Sequence, residues 1–131
     1  VPSNNRSQLT ETQNNKLIVD AYNANPSSMA AAIENFRLMA VKNKMAILGD
    51  MRELGDVTAE EHQKIVDLLL AAGITNVWLV GENFGKTDTT FKKFKDVEEV
   101  KAEIARCQPK NHYILIKGSN GTKLYELPEL L

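Results

Sequence analysis

Cysteine is nearly missing from this chain: Cys107 is the only one in 131 residues. A single thiol cannot close a disulfide within the chain, so the fold must depend on a hydrophobic core. Cys107 continues the apolar positions Val97, Val100 and Ile104 at helical spacing. This spacing predicts a buried structural thiol rather than a nucleophile.

An excess of charge is also missing, because 16 Lys and Arg residues face 17 Asp and Glu residues and the formal net charge is −1. No basic cluster is present, which excludes the electrostatic pattern of nucleic-acid binders and of proteins that bind anionic membranes. No apolar run approaches the roughly 20 residues of a membrane helix. Residues 1–5 do not read as a signal peptide. We therefore predict one soluble, cytoplasmic globular domain.

Histidine is rare, and neither His62 nor His112 has a Cys, His or carboxylate partner at a metal-ligand spacing. We predict no metal site. The chain contains no recognisable Ser-His-Asp or Cys-His arrangement for nucleophilic catalysis. His62 falls on the same side of a predicted helix as Ile65 and Leu69, which predicts a packing or boundary residue.

Apolar runs that end in polar residues or glycine predict four strands, at residues 17–21, 45–48, 77–80 and 113–116. Residues 91–94 are predicted to add a short edge strand. Helices are predicted at residues 27–39, 59–72, from Asp96 to before Pro109, and at 123–127. Thr58 with Glu61 predicts a capping box, and Gly73 a helix end. The alternation predicts an α/β fold, a three-layer α/β/α Rossmann-like domain with a mostly parallel sheet.

Glycine is absent from the loop after the first strand, which reads DAYNAN at residues 20–25 and is called the first loop below. The G-x-G-x-x-G fingerprint of dinucleotide binding is therefore missing, and side chains must do the recognition. Asp20 could accept hydrogen bonds from two ribose hydroxyls, and Asn23 and Asn25 could hold an amine, a carboxylate or a peptide carbonyl. Alternatively, Asn25 caps the helix that begins at Pro26. Capping does not account for Asp20, Tyr22 and Asn23 together.

Two other polar loops follow strands at the same predicted sheet edge, GDMRELG at residues 49–55 and KGSNG at 117–121. Asp50 and Glu53 suggest the wall of a site, with a local turn as the alternative. Ser119 could meet an anion or a carboxylate, with a turn leading into a helix as the alternative. The string GENFGKT at residues 81–87 lacks the spacing of a phosphate-binding loop. Three polar loops at strand ends favour a ligand site, since open α/β sheets bind ligands there.

Four strings, DAYNANPSSMAAAIENF, KMAILGDMRELG, EEHQKI and LIKGSNGTKL, resemble in order and spacing the C-terminal domain of the Mur ligase family. The resemblance is to the branch that adds D-Ala-D-Ala in bacterial peptidoglycan synthesis, and it covers essentially the whole chain. It implies that residues 1–16 are an interdomain linker or the start of the domain, and residues 17–131 the Rossmann-like C-terminal domain. It also implies an N-terminal domain and a central ATP-binding domain that this chain does not contain.

The resemblance implies an ATP-dependent ligase in which the carboxylate of a UDP-muramoyl-tripeptide becomes an acyl phosphate and the amine of D-Ala-D-Ala attacks it. ATP and Mg²⁺ would be bound mainly by the central domain, and the UDP-muramoyl-tripeptide by the domains outside this chain. D-Ala-D-Ala and ATP would reach this domain at the interdomain cleft. No catalytic residue is expected in this domain, and the isolated domain is expected to be inactive.

By the same resemblance, Asp20 would contact the ATP ribose and Arg6 would reach toward the phosphates. The D-Ala-D-Ala pocket would be shaped by six residues, Tyr22, Asn23, Asn25, Asp50, Glu53 and Ser119. Asn120 stands where the family often has arginine. Two other classes of function stay open: a freestanding Rossmann-like module that binds a nucleotide or another ligand, and a protein-interaction domain that uses an exposed helix face.

Overall fold

The computed structural model describes residues 8–21 and 23–131. Arg6 and Tyr22, two of the predicted site residues, lie outside the described residues. Six strands form one sheet: β1 (Gln8–Glu11), β2 (Lys16–Asp20), β3 (Lys44–Gly49), β4 (Val77–Val80), β5 (Lys92–Phe94) and β6 (Tyr113–Lys117). Their spatial order is β1-β2-β6-β3-β4-β5. β1 pairs antiparallel with β2, and the other neighbouring strands pair in parallel.

Helices cover both faces of the sheet: α1 (Pro26–Leu38), α2 (Thr58–Ala71), the short α3 (Glu82–Gly85) and α4 (Val97–Arg106). The first three pack on one face through Phe36, Leu69 and Phe84. α4 and the C-terminal turns pack on the other face through Ile104 and Leu124. The predicted three-layer α/β/α fold with a mostly parallel sheet is confirmed. In the described part of the chain, no helix is long and apolar enough to cross a membrane.

The predicted strands and helices occur within a residue or two of their expected bounds, with three differences. The short helix α3 (Glu82–Gly85) was not predicted, because we expected residues 81–87 to form a polar surface loop. β1 was not predicted, because its sequence QLTE is short and polar and its Leu9 is exposed. The helix predicted at residues 123–127 is wrong, since the chain forms 3-10 turns at Leu124–Glu126 and Pro128–Leu130. Pro128 cannot donate the backbone hydrogen bond that a continuing α-helix needs.

The two predicted ends of α2 have different outcomes. The capping box is wrong: Val57 occupies the N-cap, after a 3-10 turn at Gly55–Val57, and no side chain caps the helix. The end at Gly73 is confirmed, because Gly73 has φ +75°. Its N–H donates to the Leu70 carbonyl and that of Ile74 to the Leu69 carbonyl, the two hydrogen bonds of a Schellman motif.

Cys107 is exposed, so the prediction of a buried thiol is wrong. α4 ends at Arg106, and the backbone of Cys107 leaves the helix at φ −146°, ψ 82°. The helical stripe that predicted burial therefore stops one residue before the thiol. The buried polar residue of α4 is Glu103, whose carboxylate accepts a hydrogen bond from Lys92 at 2.8 Å and pairs with Arg106.

The position of β6 brings the polar loops together. The connection from β2 through α1 to β3 leaves a gap that β6 fills, with Lys117 paired in register with Asp20 on one side and Leu48 on the other. All these strands run in parallel, so their carboxyl ends meet at one edge of the sheet. The first loop, the loop after β3 and the loop after β6 are therefore neighbours.

We predict that Glu103→Gln lowers the free energy of unfolding at pH 7 and that this deficit shrinks as the pH falls below 4.5. The hydrogen bond from Lys92, with Arg106 adding to it, lowers the pKa of Glu103 below its ordinary value of 4.5 and outweighs the opposing effect of burial. A carboxyl whose pKa is lowered by folding stabilises the fold above its unfolded pKa and loses this contribution as pH falls through the folded pKa.

Urea unfolding between about pH 3 and pH 7 measures this difference. The matched control is Glu129→Gln, which changes an exposed carboxylate near the C-terminus. A deficit for Glu103→Gln that is the same at all pH values would contradict the role of the charged carboxylate.

Candidate functional site

A cavity of about 650 Å³ opens at the carboxyl ends of the strands, next to the loops that follow β3, β4 and β6. Three of the predicted site residues, Asp50, Glu53 and Ser119, line it. Asp20, Asn23 and Asn25 do not line it. The structure therefore separates the predicted residues that it describes into a cavity group and a first-loop group.

Asp50 forms one wall of the cavity through hydrogen bonds to a neighbouring loop. Its two carboxylate oxygens accept from the backbone N–H groups of Asn83 and Phe84, both at 2.9 Å. Gly81 makes this contact possible, because a Cβ at its φ of +121° would overlap the Asp50 carboxylate. Asp50 therefore occupies two of the backbone amides at the start of α3.

His62 supports the same wall from inside the protein. Its Nε2 lies 3.0 Å from the Met51 backbone nitrogen, and its Nδ1 lies 2.7 Å from the Thr58 carbonyl oxygen. An N–H group can only donate and a carbonyl can only accept, so the proton is assigned to Nδ1 and Nε2 is the acceptor. The buried ring also packs edge-on against Phe84 at 4.7 Å. His62 is a packing residue, as predicted, and its link to the cavity was not visible in the sequence.

Glu53 stands exposed at the rim of the cavity with its backbone in the left-handed region, at φ +61°. Lys123, which also lines the cavity, has φ +60°. The other two non-glycine residues in this conformation within the described ranges are asparagines, which tolerate it best. Glu53 and Lys123 hold a less favourable conformation. Strained backbone of this kind concentrates at functional sites.

Ser119 lines the cavity and has a buried side-chain hydroxyl. The residue is 6% exposed, and its Oγ has no hydrogen-bond partner in the described structure. Its backbone N–H donates to the Asp50 carbonyl and its carbonyl accepts from the Thr122 hydroxyl, so the backbone is firmly held. A buried hydroxyl without a partner destabilises the protein and needs an explanation. Because Ser119 lines a cavity, an acceptor atom of a ligand is the partner that the hydroxyl suggests.

Arg52 is exposed and lines the same cavity as Ser119, and we did not predict it as a site residue. Its guanidinium packs directly on Gly121, where a Cβ would overlap Nη1. Within residues 8–21 and 23–131 it makes no ion pair or hydrogen bond. Its position between Asp50 and Glu53 in the GDMRELG string was the available signal. An unpaired guanidinium and an unpartnered hydroxyl in the lining of one cavity are suited to a carboxylate or another anion.

Asp20 belongs to the first-loop group and forms an ion pair with Lys117, a residue that was not predicted for the site. Lys117 Nζ donates to Asp20 Oδ2 at 2.5 Å and to the Asn23 carbonyl at 3.1 Å. The Lys117 side chain is 2% exposed and that of Asp20 is 17% exposed. The second carboxylate oxygen of Asp20, Oδ1, makes no hydrogen bond to the part of the chain that the structure describes.

Asn25 caps α1, the alternative considered from the sequence. Its Oδ1 accepts from the Ser28 N–H at 2.8 Å, and its own N–H donates to the Ser28 hydroxyl at 3.0 Å. This reciprocal pair is a capping box. Its side-chain oxygen is therefore committed to the helix. Asn23, by contrast, is exposed and keeps its side chain free of hydrogen bonds to the described residues.

No three His, Cys, Asp or Glu side chains among residues 8–21 and 23–131 lie close enough together to hold a metal ion. The carboxylates near the cavity show why. Asp50 accepts two backbone N–H groups, and Asp96 accepts the Glu99 N–H as the N-cap of α4. The cavity lining thus includes a cationic residue, Arg52, and a residue with an unpartnered hydroxyl, Ser119, which are suited to an anion.

Residues 5–120 match the family model described as Mur ligase, glutamate ligase domain. The chain is 38% identical over 125 residues to the UDP-N-acetylmuramoyl-tripeptide–D-alanyl-D-alanine ligase of Rickettsia prowazekii, across 91% of this chain and 28% of that protein. It is 33% identical to the ligase of the same name from Bacillus subtilis, across 93% of this chain and 29% of that protein. The chain thus spans less than a third of the length of these curated relatives.

Solved structures show the same architecture. MurF from Acinetobacter baumannii superposes with a TM-score of 0.77 at 29% identity, across 95% of this chain and 29% of that one. The MurF ligase from Thermotoga maritima, crystallised in complex with ADP, superposes with a TM-score of 0.78 at 23% identity, across 96% of this chain and 30% of that one. The second likeness shows the fold alone.

We predict that Ser119→Ala leaves the free energy of unfolding of the 131-residue chain unchanged or raises it by up to about 1 kcal/mol. The substitution removes a buried hydroxyl that has no partner. The matched control, Thr122→Val, removes a hydroxyl that donates to the Ser119 carbonyl at 2.7 Å and should cost about 1 kcal/mol. Urea unfolding compares the two variants. A loss for Ser119→Ala as large as that for Thr122→Val would show that the Ser119 hydroxyl already has a partner.

Proposed function

This chain belongs to the Mur ligase family, as its C-terminal domain, and from this membership we propose that it works in the ligase that adds D-Ala-D-Ala to UDP-N-acetylmuramoyl-tripeptide, using ATP. The observation that carries the proposal is a cavity at the carboxyl edge of the sheet whose lining includes both the residue with a buried, unpartnered hydroxyl, Ser119, and the unpaired Arg52. The names and identities of the curated relatives support it. Because those relatives are more than three times as long, the whole reaction needs parts that this chain does not contain.

The chemistry of the dipeptide decides which of its ends this domain holds. The amine of D-Ala-D-Ala is the nucleophile and must stay free to attack an activated carbonyl carbon. The carboxylate at the other end takes no part in the reaction and is available for binding. We assign this carboxylate to the Ser119 hydroxyl as donor and to the Arg52 guanidinium as cation. Asp50 holds the cavity wall in place, and Glu53 stands at the rim.

The first loop supplies a second set of contacts in this proposal. The exposed Asn23 carboxamide faces no competing partner in the described structure and can hydrogen-bond the dipeptide. Asn25 contributes by capping α1, which fixes the end of the loop. Tyr22 stays a proposed pocket residue on the basis of the family resemblance.

The nucleotide side of the proposal rests on Asp20. Its Oδ1 makes no hydrogen bond to the described residues and can accept one from a ribose hydroxyl, while its Oδ2 stays bound to Lys117. Arg6 stays a proposed phosphate contact, on the family resemblance alone. The Thermotoga maritima MurF ligase was crystallised in complex with ADP, which supports the proposal that proteins of this family bind a nucleotide. ATP supplies the phosphoryl group that activates the tripeptide carboxylate, and we assign Mg²⁺ mainly to the central domain.

The contribution of this domain to rate is positioning. Holding the amine of the dipeptide near the activated carboxylate makes a bimolecular attack effectively unimolecular. Closure of the domain over the centre would also exclude water, which competes with the amine for an acyl phosphate. We place this reaction in the cytoplasm, where ATP is available.

We predict that the isolated 131-residue chain neither hydrolyses ATP nor forms the ligation product, and that it binds ATP, NAD and D-Ala-D-Ala weakly or not at all. The reason is that each proposed subsite has only one of its faces on this chain. Calorimetric titration with the three ligands and a phosphate-release assay measure this. Tight binding of a nucleotide by the chain alone would favour a freestanding nucleotide-binding module instead.

We predict that Arg52→Gln in the full-length ligase lowers kcat/KM for D-Ala-D-Ala by about 10- to 100-fold and changes KM for ATP little. The loss follows from removing the cation that pairs with the dipeptide carboxylate. The sharper readout is discrimination: the wild-type enzyme should prefer D-Ala-D-Ala over its C-terminal amide, and Arg52→Gln should lose most of this preference.

The matched control is Arg37→Gln, which changes an exposed arginine that pairs with Glu34 on α1, away from the cavity. Arg37→Gln should leave kcat/KM unchanged for D-Ala-D-Ala and for its C-terminal amide. If Arg52→Gln still discriminates between the dipeptide and its amide as the wild type does, the carboxylate is bound elsewhere.

A further inference from the structure

Lys117 is a buried cation at the carboxyl end of β6, and both of its partners lie in the first loop. Its side chain is 2% exposed. Two of its three N–H groups are used, one by Asp20 Oδ2 at 2.5 Å and one by the Asn23 carbonyl at 3.1 Å. An ammonium can stay buried only when acceptors replace its lost water. The first loop provides them.

Stability alone gives no reason for a lysine at this position. The preceding residues of β6, Ile114, Leu115 and Ile116, are apolar and buried. Replacing a buried ion pair by well-packed apolar residues is often neutral or stabilising. The location of the pair supplies the reason, because Asp20 is the proposed ribose contact.

The ion pair with Lys117 uses only one of the two carboxylate oxygens of Asp20. Lys117 fixes the carboxylate through Oδ2, while Oδ1 makes no hydrogen bond to the residues that the structure describes. A carboxylate has two oxygens that accept independently, so one can be anchored while the other receives a ligand donor. The ammonium also holds the carboxylate in one rotamer. A ribose hydroxyl would then meet an acceptor that is already oriented.

Lys117 also lies between the two proposed subsites. Through the Asn23 carbonyl it fixes the backbone of the residue proposed to reach the dipeptide. Two residues after it, Ser119 lines the cavity. A single side chain thus connects the end of β6 with the first loop.

We infer that Lys117 is a positioning residue for the nucleotide subsite: it holds the Asp20 carboxylate in the orientation that accepts the ribose, and it fixes the first loop beside the dipeptide cavity. This inference rests on the proposed function, specifically on the contact between Asp20 and the nucleotide. Lys117 does not touch the reacting atoms.

The test is a double-mutant cycle in the full-length ligase with Asp20→Asn, Lys117→Met and the double variant. Lys117→Met should raise KM for ATP by about 10-fold or more, with a smaller effect on kcat and on KM for D-Ala-D-Ala. Once Asp20 is already Asn, Lys117→Met should add almost nothing to KM for ATP, because Lys117 acts through Asp20. Lys16→Met, at the opposite end of β2, is the matched control and should leave both KM values unchanged.

The outcomes distinguish a wrong nucleotide contact at Asp20 from a wrong role for Lys117. If Asp20→Asn leaves KM for ATP unchanged, the proposed nucleotide contact itself is wrong. If Asp20→Asn raises it and Lys117→Met does not, or if the two effects multiply in the double variant, only the positioning role of Lys117 is overturned. If Lys117→Met loses thermal stability but keeps wild-type KM values, the ion pair is merely structural and the positioning role of Lys117 is likewise overturned.

A measurement on the unmodified ligase covers the case in which Lys117→Met does not fold. With ¹⁵N-labelled lysine, the buried Lys117 ammonium should give an NMR signal protected from solvent exchange, assigned by its disappearance in Lys117→Arg. The signal should shift when a non-hydrolysable ATP analogue is added. A Lys117 signal that does not respond to the analogue would overturn the inference.

Discussion

The parallel pairing of β6 with both β2 and β3 is the constraint on which the site depends. Because β6 enters the sheet last along the chain and between two earlier strands, it brings its own carboxyl end between theirs. Lys117 then reaches the first loop, and the Ser119 N–H donates to the Asp50 carbonyl on the other side. Without this insertion, no strand end would connect the first loop with the loop after β3.

The Asp50 carboxylate fixes the part of the sheet edge that follows β3 and β4. It accepts two N–H groups of α3, and this geometry requires glycine at position 81. Behind it, His62 accepts from the Met51 N–H and so fixes the start of the loop that carries Arg52 and Glu53. These bonds all use buried or half-buried groups. These hydrogen bonds hold the cavity wall, while Arg52, Glu53 and the Ser119 hydroxyl make none through their side chains to the residues that the structure describes.

The fold followed from the sequence to a large extent, since alternating apolar strands and helical stripes have strong periodic signals. The exceptions have physical reasons. β1 is polar because it pairs on one side only, and Cys107 has the spacing of a buried residue but follows the end of its helix. The site followed less well: strand-end position pointed to Asp20, Asp50 and Ser119, but a pattern cannot show which oxygen of a carboxylate is already bonded. Lys117 was missed because its partners become visible only when the register of β6 against β2 is known.

The polar groups of this edge fall into two states that have different physical meanings. Asn25, Asp50 and Oδ2 of Asp20 are satisfied by the protein itself, and they stabilise the loops in one conformation. Ser119 Oγ is buried and unsatisfied, which raises the free energy of the chain alone, whereas Arg52 is exposed and makes no ion pair with the described residues. A domain that kept such groups only for stability would have paired them internally. Their persistence beside rigidly held neighbours is the arrangement expected of a preorganised surface, whose remaining hydrogen bonds are completed by a ligand.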